Sequence, residues 1–380
     1  PKRRFKEFIN TGTWEQRKLK ELTEVITKGT TPKDKSGKGS INFVKVENIN
    51  KSSGEIDIKS KITENEHEGY LKRSQLKDGD ILFSIAGTLG RTAIVKKELL
   101  PANTNQALAI IRLDEGDKNY ITTFLNGRAA EDFIKKNPTV GAQPNLSLEQ
   151  VGNLLIEIPS LEEQTKIGSF FKQLDDTIAL HQRKLDKAKE LKSAYLSEMF
   201  PAEGERKPKR RFAGFTDDWE QRKLGEESII VAGGDVDKTK VLKSGKYPVL
   251  ANALTNDGIF GYYEDDYRIE APAVTVTGRG DVGYAKARKT NFTPVVRLLA
   301  VKSEHDVDFL EVAINNHKTI VESTGVPQLT APQLSNYNIY FPSFEEERKI
   351  GAFFKHLDDT IVLHQHKLEK LQNIKQAYLN

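Results

Sequence analysis

Cationic and amide side chains cluster in loops of two separate segments of this 380-residue sequence. A lysine-rich stretch, KGTTPKDKSGKG, runs from Lys28 to Gly39, and an Asn-Thr-Asn-Gln sequence begins at Asn103. Guanidinium and ammonium groups bind phosphates, and side-chain amides can pair with adenine. These residue types therefore suit contact with nucleic acid. Any single one of these residues is equally well explained as part of an ordinary solvated loop. Only the recurrence of such residues in both segments favours nucleic-acid binding. The candidate DNA-binding residues are Lys28, Thr30, Thr31, Lys33, Lys35, Lys38, Arg91, Asn103, Asn105, Gln106, Arg279, Arg288 and Lys289.

Groups that could carry catalysis or hold a metal ion are few. The sequence has no cysteine, no phosphate-binding G-x-x-x-x-G-K-[ST] loop, no nuclease or methylase motif and no His-Glu-x-x-His. Adjacent carboxylates on a helix more often form a solvated or partner-facing edge than a catalytic pair, and a histidine in a helix seam more often fixes register. We therefore expect no catalytic residue, no metal site and no cofactor in this chain. The side chains weighed for such roles are Asp175, Asp176, His181, Asp358, Asp359 and His364.

Much of the sequence is an internal repeat. Residues 153–197 and 336–380 are identical at 27 of 45 positions without a gap. A tag that begins PKRRF and ends WEQRKL opens at Pro1 and again at Pro208, with two residues fewer in the second copy. Such a repeat indicates two fused units in a pseudo-twofold arrangement. The basic PKRRF residues themselves are interpreted as solvated linkers.

The shared block predicts one long helix that opens at Pro159-Ser160, with glutamates in its first turn. Its apolar residues recur on a heptad over four to five repeats, which is typical of a coiled-coil seam. Two such seams in one chain are expected to pack on each other and to act as a spacer. The predicted seam residues are Ile167, Phe171, Leu174, Ile178, His181, Leu185, Ile350, Phe354, Leu357, Ile361, His364 and Leu368.

The segments between the shared parts, Lys20–Gly152 and Gly225–Ser335, resemble each other only in outline. Each has short β-rich runs separated by Gly, Asn and Asp, followed by one helical stretch, at residues 119–136 and near 307–322. A tight-turn pattern recurs between two of the strands, at residues 87–90 and 280–283. Both segments therefore predict small α/β domains.

The predicted fold class is α+β, with two small α/β domains separated by two long helices packed as an antiparallel coiled coil. The predicted boundaries are 1–152 for the tag and first domain, 153–200 for the first helix, 201–335 for the linker and second domain, and 336–380 for the second helix.

Composition limits the class of protein. A net charge of +4 and a pI of 8.8 are too mild to identify a nucleic-acid binder by charge alone. The mean hydropathy of −0.55 and the lack of long apolar runs argue against a membrane span. Without cysteine or a signal-like N-terminus, a reducing cytoplasmic location is expected.

The order of these parts resembles the specificity (S) subunit of type I restriction-modification systems, a bacterial host-defence machinery. WEQRKL, a divergent domain, a closing element and an IPS-x-EEQ-x-KIG helix occur in turn, and the series then repeats. The closing elements are residues 141–146 and 325–329. The likeness covers nearly the whole chain.

The resemblance implies that each divergent domain is a target recognition domain that reads one half of a split, asymmetric sequence in double-stranded DNA. It implies that the helices set the distance between the halves. Two methyltransferase (M) subunits would carry S-adenosylmethionine and modify adenine, and restriction-translocase (R) subunits would use ATP and Mg²⁺. The alternative is a coiled-coil scaffold that joins protein partners without touching DNA.

Overall fold

The computed structural model describes residues 4–34, 36–136, 145–317 and 327–379. The chain forms two compact units. Unit 1 contains residues 1–183 and 365–380, and unit 2 contains residues 184–364. Each of the two long helices therefore contributes residues to both units.

Unit 1 combines short strands with short helices and part of a long one. Its strands are β1 (Glu15–Lys18), β2 (Thr23–Lys28), β3 (Ile41–Val44), β4 (Ser60–Ile62), β5 (Ile81–Ser84), β6 (Thr92–Ile94), β7 (Ala102–Thr104), β8 (Leu108–Leu113) and β9 (Leu155–Ile158). Its helices are α1 (Glu64–Glu68), α2 (Lys118–Leu125), α3 (Arg128–Lys136), α4 (Leu148–Gly152) and the first part of α5 (Leu161–Glu198).

Unit 2 repeats this plan. Its strands are β10 (Glu220–Lys223), β11 (Ser228–Ala232), β12 (Tyr247–Leu250), β13 (Ile259–Tyr263), β14 (Ala273–Thr277), β15 (Ala285–Arg288), β16 (Thr293–Pro294), β17 (Leu298–Ser303) and β18 (Asn338–Phe341). Its helices are α6 (Leu224–Glu227), α7 (Val307–Asn316), α8 (Ala331–Ser335) and the first part of α9 (Phe344–Leu379).

The sheets of the two units have the same topology. The four-stranded sheets run β2-β8-β5-β6 and β11-β17-β14-β15, and the three-stranded sheets run β4-β3-β7 and β13-β12-β16. We call residues 19–154 and 224–337, which contain these sheets, the first and second head domains. The shared topology shows that two sequences alike only in outline adopt one fold.

One inner strand of each four-stranded sheet, β5 in unit 1 and β14 in unit 2, is buried on both faces. Ile81 and Phe83 on β5 enter one core cluster, while Leu82 between them enters another. In unit 2, Val274 and its neighbour Ala273 on β14 divide in the same way. Because successive strand residues point to opposite faces, a continuous apolar run is what such a sheet requires.

The chain enters and leaves each head domain through a pair of antiparallel strands, β1 with β9 and β10 with β18, which we call the necks. The predicted boundaries at 153 and 336 grouped the residues before Pro159-Ser160, and their equivalents in the second copy, with the long helices, but residues 155–158 and 338–341 are strands. In the first neck Leu155 is exposed and Ile156 is buried, an alternation that fits a strand. The long helices begin after the necks, at Leu161 and Phe344.

Helices α5 and α9 run antiparallel where they meet in each unit. In unit 1, Phe170 packs edge-on against Tyr378 with ring centroids 5.4 Å apart, and Asp175 pairs with Lys375 at 2.6 Å. Residue numbers therefore rise on one helix as they fall on the other. Unit 2 repeats both contacts at the equivalent positions, with Tyr195 against Phe353 and Lys192 paired to Asp358.

The predicted seam residues all lie on the less accessible side of the long helices. Six of them are buried: Phe171, Ile178, Leu185, Ile350, Phe354 and Leu368. The other six are partly buried: Ile167, Leu174, His181, Leu357, Ile361 and His364. At 1.5 Å per residue, the 38 residues of α5 extend about 57 Å.

Two predicted helices differ in the structure. The stretch 119–136 divides into α2 and α3 because Asn126-Gly127 ends the first helix, and the Gly127 amide bonds back to Phe124 O at 3.0 Å. In unit 2, α7 ends at Asn316, and the predicted continuation from residue 318 lies outside the described residues. None of the described helices is long and apolar enough to span a membrane.

Candidate nucleic-acid interface

A hairpin turn follows β5 in the first head domain and β14 in the second, and a side-chain hydroxyl group fixes its shape. Ser84 Oγ donates to Thr88 O at 2.6 Å and accepts from the Arg91 amide at 2.7 Å. Thr277 Oγ1 makes the same pair of bonds in unit 2. We call residues 85–91 and 278–284 the tip hairpins. Their different sequences are therefore held in one common frame.

The glycines predicted to form tight turns lie in these tip hairpins. Gly87 and Gly90 have φ angles of +73° and +79°, and Gly280 and Gly283 have +79° and +86°. Only glycine adopts this left-handed region without steric cost. Between the glycines, Thr88 and Asp281 are exposed, whereas Leu89 and Val282 pack against the core clusters.

The end of each closing element pairs with a tip hairpin. The Leu146 amide donates to Ile85 O at 2.8 Å, and the Leu329 amide donates to Gly278 O at 2.9 Å. The rest of the two predicted elements, residues 141–144 and 325–326, lies outside the described residues. The described ends support the tip hairpins from the side.

A lysine loop follows the first strand of the first head domain, at residues 29–40. The Lys33 ammonium lies 4.5 Å from the centre of the Tyr70 ring, and the Lys33 amide donates to Glu66 Oε1 at 2.7 Å. Thr31 and Gln106 hydrogen-bond to each other across the neighbouring strand connection. Lys28, Thr31, Lys33, Lys38 and Gln106 are all exposed. These predicted residues are thus available to a ligand, whereas Lys35 lies outside the described residues.

A second lysine loop, which the sequence reasoning missed, occupies residues 233–246 between β11 and β12. Lys238, Lys240, Lys243 and Lys246 are all exposed in it. The signal was present in the sequence, because Lys-Ser-Gly-Lys occurs at residues 35–38 and again at 243–246, just before the next strand in each unit. The two head domains therefore carry cationic loops at the same place in the fold.

Asn103 was predicted as a base contact, and the structure removes it from the candidates. Its side chain is fully buried, and its amide donates to Leu71 O at 2.9 Å and to Ser74 Oγ at 3.1 Å. The His67 ring nitrogen Nδ1 hydrogen-bonds to the side-chain oxygen Oδ1 of Asn103. With every polar atom used inside the domain, this amide stabilises the core.

Three cations among the candidates are engaged within the head domains. Arg91 donates to Ile49 O at 2.7 Å and to Val46 O at 3.3 Å. The Arg288 side chain is only 13% exposed and pairs with Asp257 at 2.8 Å. Burial lowers the pKa of Arg288, which Asp257 partly offsets. Lys289 pairs with Asp308 at 2.5 Å. Arg91 and Arg288 are structural, and Lys289 is exposed but paired.

The remaining candidates are placed as follows. Thr30 is partly buried and accepts a long bond from Arg73 Nε at 3.4 Å. Asn105 is partly buried and its Oδ1 accepts from the Ala107 amide at 3.2 Å. Arg279 is exposed at the tip hairpin of unit 2. It is the candidate most directly presented to a ligand in that unit.

The PKRRF tags were interpreted as solvated linkers, and this interpretation is wrong for one arginine in each. Arg4 binds Glu163 with two parallel bonds of 2.7 and 2.6 Å, and Arg211 binds Glu346 with two of 2.7 Å. Both glutamate side chains are 0% exposed. Hydrogen bonding to Glu346 raises the pKa of Arg211, which keeps the guanidinium protonated. We call these pairs the arginine clamps. They hold each tag to the first turn of a long helix.

The repeated glycine of the KIG sequence explains how a long helix seats its head domain. A Cβ atom on Gly168 would lie 2.4 Å from Asp117 Oδ1, and one on Gly351 would lie 2.5 Å from Asp306 Oδ1. These two aspartates cap the N-termini of α2 and α7. The absence of a side chain lets the cap of the shorter helix touch the long helix.

Gly351→Ala is therefore expected to destabilise unit 2, although alanine favours a helix by about 1 kcal/mol over glycine. The added methyl would also lie 2.7 Å from the Phe309 amide nitrogen, and such overpacking costs about 1–3 kcal/mol. Urea unfolding of the purified chain measures the change. Arg348→Ala, at an exposed position of the same helix within unit 2, is the control and should leave stability nearly unchanged. A more stable Gly351→Ala variant would contradict the close seating.

The carboxylates weighed for catalysis have other roles. Asp175 and Asp358 pair with lysines of the opposite helix, and Asp176 and Asp359 pair with Lys172 and Lys355 one turn earlier. Across residues 4–34, 36–136, 145–317 and 327–379, no group of three His, Asp or Glu side chains is arranged to hold a metal ion.

Comparisons with known proteins agree with this architecture. Residues 11–190 and 216–373 match the model of the type I restriction modification DNA specificity domain. A relative from Mycoplasma pneumoniae that carries the name of a type I specificity subunit is 25% identical over 317 residues, covering 80% of this chain and 82% of its own. The specificity subunit of the type I restriction enzyme MjaVIII from Methanocaldococcus jannaschii is 20% identical over 339 residues, covering 80% and 78%.

A solved structure shares the fold. The crystal structure of the S subunit of a type I restriction-modification system from M. genitalium aligns with a TM-score of 0.68 and 14% identity, covering 98% of this chain and 96% of that one. The family model accounts for most of this chain in two matches, one for each repeat. The chain therefore belongs to the type I restriction-modification DNA specificity family.

Proposed function

We propose that this chain is the DNA sequence-recognition subunit of a type I restriction-modification complex. It reads a bipartite, asymmetric target and directs adenine methylation and restriction by partner subunits. The observation that carries the proposal is the pair of head domains with one topology, each presenting a tip hairpin and a lysine loop. Membership of the DNA specificity family supports it.

The two head domains share one backbone topology but expose different residues at their tip hairpins. They are therefore expected to read different half-sites. The tip of the first is Ala-Gly-Thr-Leu-Gly, and the tip of the second is Arg-Gly-Asp-Val-Gly. Lysines of the loops would contact phosphates and fix position, while tip side chains would read base edges in the major groove. The residues proposed for DNA contact are Lys28, Thr31, Lys33, Lys38, Gln106, Lys238, Lys240, Lys243, Lys246 and Arg279.

Members of the specificity subunit family are not themselves catalysts, and they work in complexes with DNA and other subunits. The finer composition is part of the proposal: two M subunits that carry S-adenosylmethionine, and R subunits that use ATP and Mg²⁺. Matching exposed apolar side chains on the two long helices support two identical partners. Leu161 and Phe344 are 62% and 55% exposed at equivalent positions, and Leu180 and Leu363 are 43% and 49% exposed.

Exchange of a head domain tests the proposal. Replacing residues 20–152 by the corresponding segment of a relative, with the neck and helix retained, should change one half of the methylated sequence and leave the other half unaltered. Sequencing of methylated adenines in cells that carry the partner subunits gives the readout. The reciprocal exchange of residues 225–335 should change only the opposite half. A methylation pattern unaffected by both exchanges would overturn the proposed function.

A further inference from the structure

Lys375, near the end of α9, joins three parts of unit 1. Its Nζ lies 2.6 Å from Asp175 Oδ1 on α5 and donates to the backbone oxygen of Ser52 at 2.8 Å. Ser52 lies in the connection between β3 and β4 of the first head domain. The Lys375 side chain is only 13% exposed. A charged group with so little access to water depends on its partners, so its position is well determined.

Hydrogen bonds continue from Ser52 towards the tip hairpin. The Ser52 amide donates to Asn50 Oδ1 at 2.9 Å, which closes the turn that presents the Ser52 carbonyl. The adjoining carbonyl of Ile49 accepts from the Arg91 guanidinium at 2.7 Å. The Arg91 amide in turn donates to Ser84 Oγ, the hydroxyl that fixes the tip hairpin. These hydrogen bonds, together with the backbone from Ile49 to Ser52, thus link the helix pair to that hairpin.

Unit 2 keeps the cross-helix ion pair but not this link. Lys192, equivalent to Lys375, contacts Asp358 at 2.5 and 2.8 Å. Among the residues that the structure describes, Lys192 makes no bond to the second head domain. Pairing of the helices therefore does not require a contact with a head domain, and the Lys375–Ser52 bond is an addition specific to unit 1.

We propose that Lys375 is a positioning residue for DNA reading by the first head domain. It anchors the β3–β4 connection to the helix pair, and through Arg91 it fixes the direction in which the first tip hairpin points. Residues near the end of the sequence thereby govern readout by the domain near its beginning. The inference rests on the proposed function for its consequence in DNA reading, but the anchoring itself is a property of the free protein.

Hydrogen–deuterium exchange of the full chain tests the anchoring. The variant Lys375→Met/Asp175→Leu removes both charges, so no buried carboxylate is left unpaired. Its matched control, Lys192→Met/Asp358→Leu, removes the equivalent pair in unit 2. Exchange at the amides of Ser52, Gly54 and Arg91 should become about tenfold faster in the first variant and stay unchanged in the control. Equal exchange at these amides in the first variant and the unaltered chain would overturn the proposal.

Methylation by the assembled complex tests the consequence for reading. DNA duplexes with single base changes in either half-site are compared by their methylation rates. In Lys375→Met/Asp175→Leu, discrimination between bases should fall about tenfold, and only in the half-site of the first head domain. Lys375→Arg should retain this discrimination. Equal losses in both half-sites would mean that the lysine acts only on general stability and would refute the positioning role. If the wild-type chain showed no sequence discrimination at all, the proposed function would be refuted instead. Hydrogen–deuterium exchange would still decide whether Lys375 anchors the β3–β4 connection.

Discussion

Arg211→Gln is expected to lower the free energy of unfolding of unit 2 by about 3–5 kcal/mol, because it leaves Glu346 buried without its partner. Glu346 is 0% exposed, and Arg211 is 14% exposed and holds it with two bonds. Removing one partner of such a pair lowers stability by more than the pair itself contributes, because the remaining charge is buried away from water and unpaired. Urea unfolding followed by the fluorescence of Trp219, in a Trp14→Phe background, reports on unit 2.

The adjacent residue supplies the control. Arg210 pairs with Glu198, and the two side chains are 56% and 38% exposed. Exposed pairs contribute about 0–1 kcal/mol, so Arg210→Gln should shift the unfolding curve little. Similar effects of the two substitutions would show that the clamp is not the special contact. Arg211→Gln combined with Glu346→Gln should recover part of the loss, because the buried charge is gone.

Replacing Lys238, Lys240, Lys243 and Lys246 by glutamine is expected to weaken DNA binding by about two to three orders of magnitude near 0.15 M salt. Each lysine that neutralises a phosphate releases counterions, so the slope of log affinity against log salt should fall by about 3–4. Fluorescence anisotropy with a labelled duplex, repeated over a salt series, measures both quantities. Binding should weaken for all sequences alike, because phosphate contacts carry no sequence information.

A charge-matched variant separates contact from net charge. Glutamine at Lys166, Lys172, Lys349 and Lys355 removes four exposed cations from the long helices instead of the loop. This control should retain most of the affinity and most of the salt slope. Equal losses in the two variants would mean that overall charge attracts DNA and that the second lysine loop is not at the interface.

The long helices were predictable because their signal is local. Residues at heptad spacing, such as Ile178 and Leu185, are buried as the pattern requires, and the second copy doubled the evidence. The necks were missed because each strand has its partner far away, with Arg17 opposite Ile156. A four-residue strand beside a strong helical pattern carries too little information to be separated from it.

The interface was only partly predictable, since residue type does not determine exposure. Asn103 has the chemistry of an adenine contact, yet its strand places it in the core. Arg211 has the chemistry of a solvated linker residue, yet a glutamate 135 positions away buries it. The second lysine loop was missed even though Lys-Ser-Gly-Lys occurs in both segments, because its equivalence to the first loop rests on the strand order that the two head domains share in the structure.

Each neck brings the two ends of a head domain together as hydrogen-bonded neighbours. Whatever the inserted segment contains, it begins and finishes at one fixed point beside the start of a helix. The second insert, residues 224–337, is shorter than the first, residues 19–154, and the antiparallel pairing that closes it is the same. Genetic exchange between related chains could therefore replace a whole insert of different length in one event, and new specificities could arise without redesign of the parts that hold it.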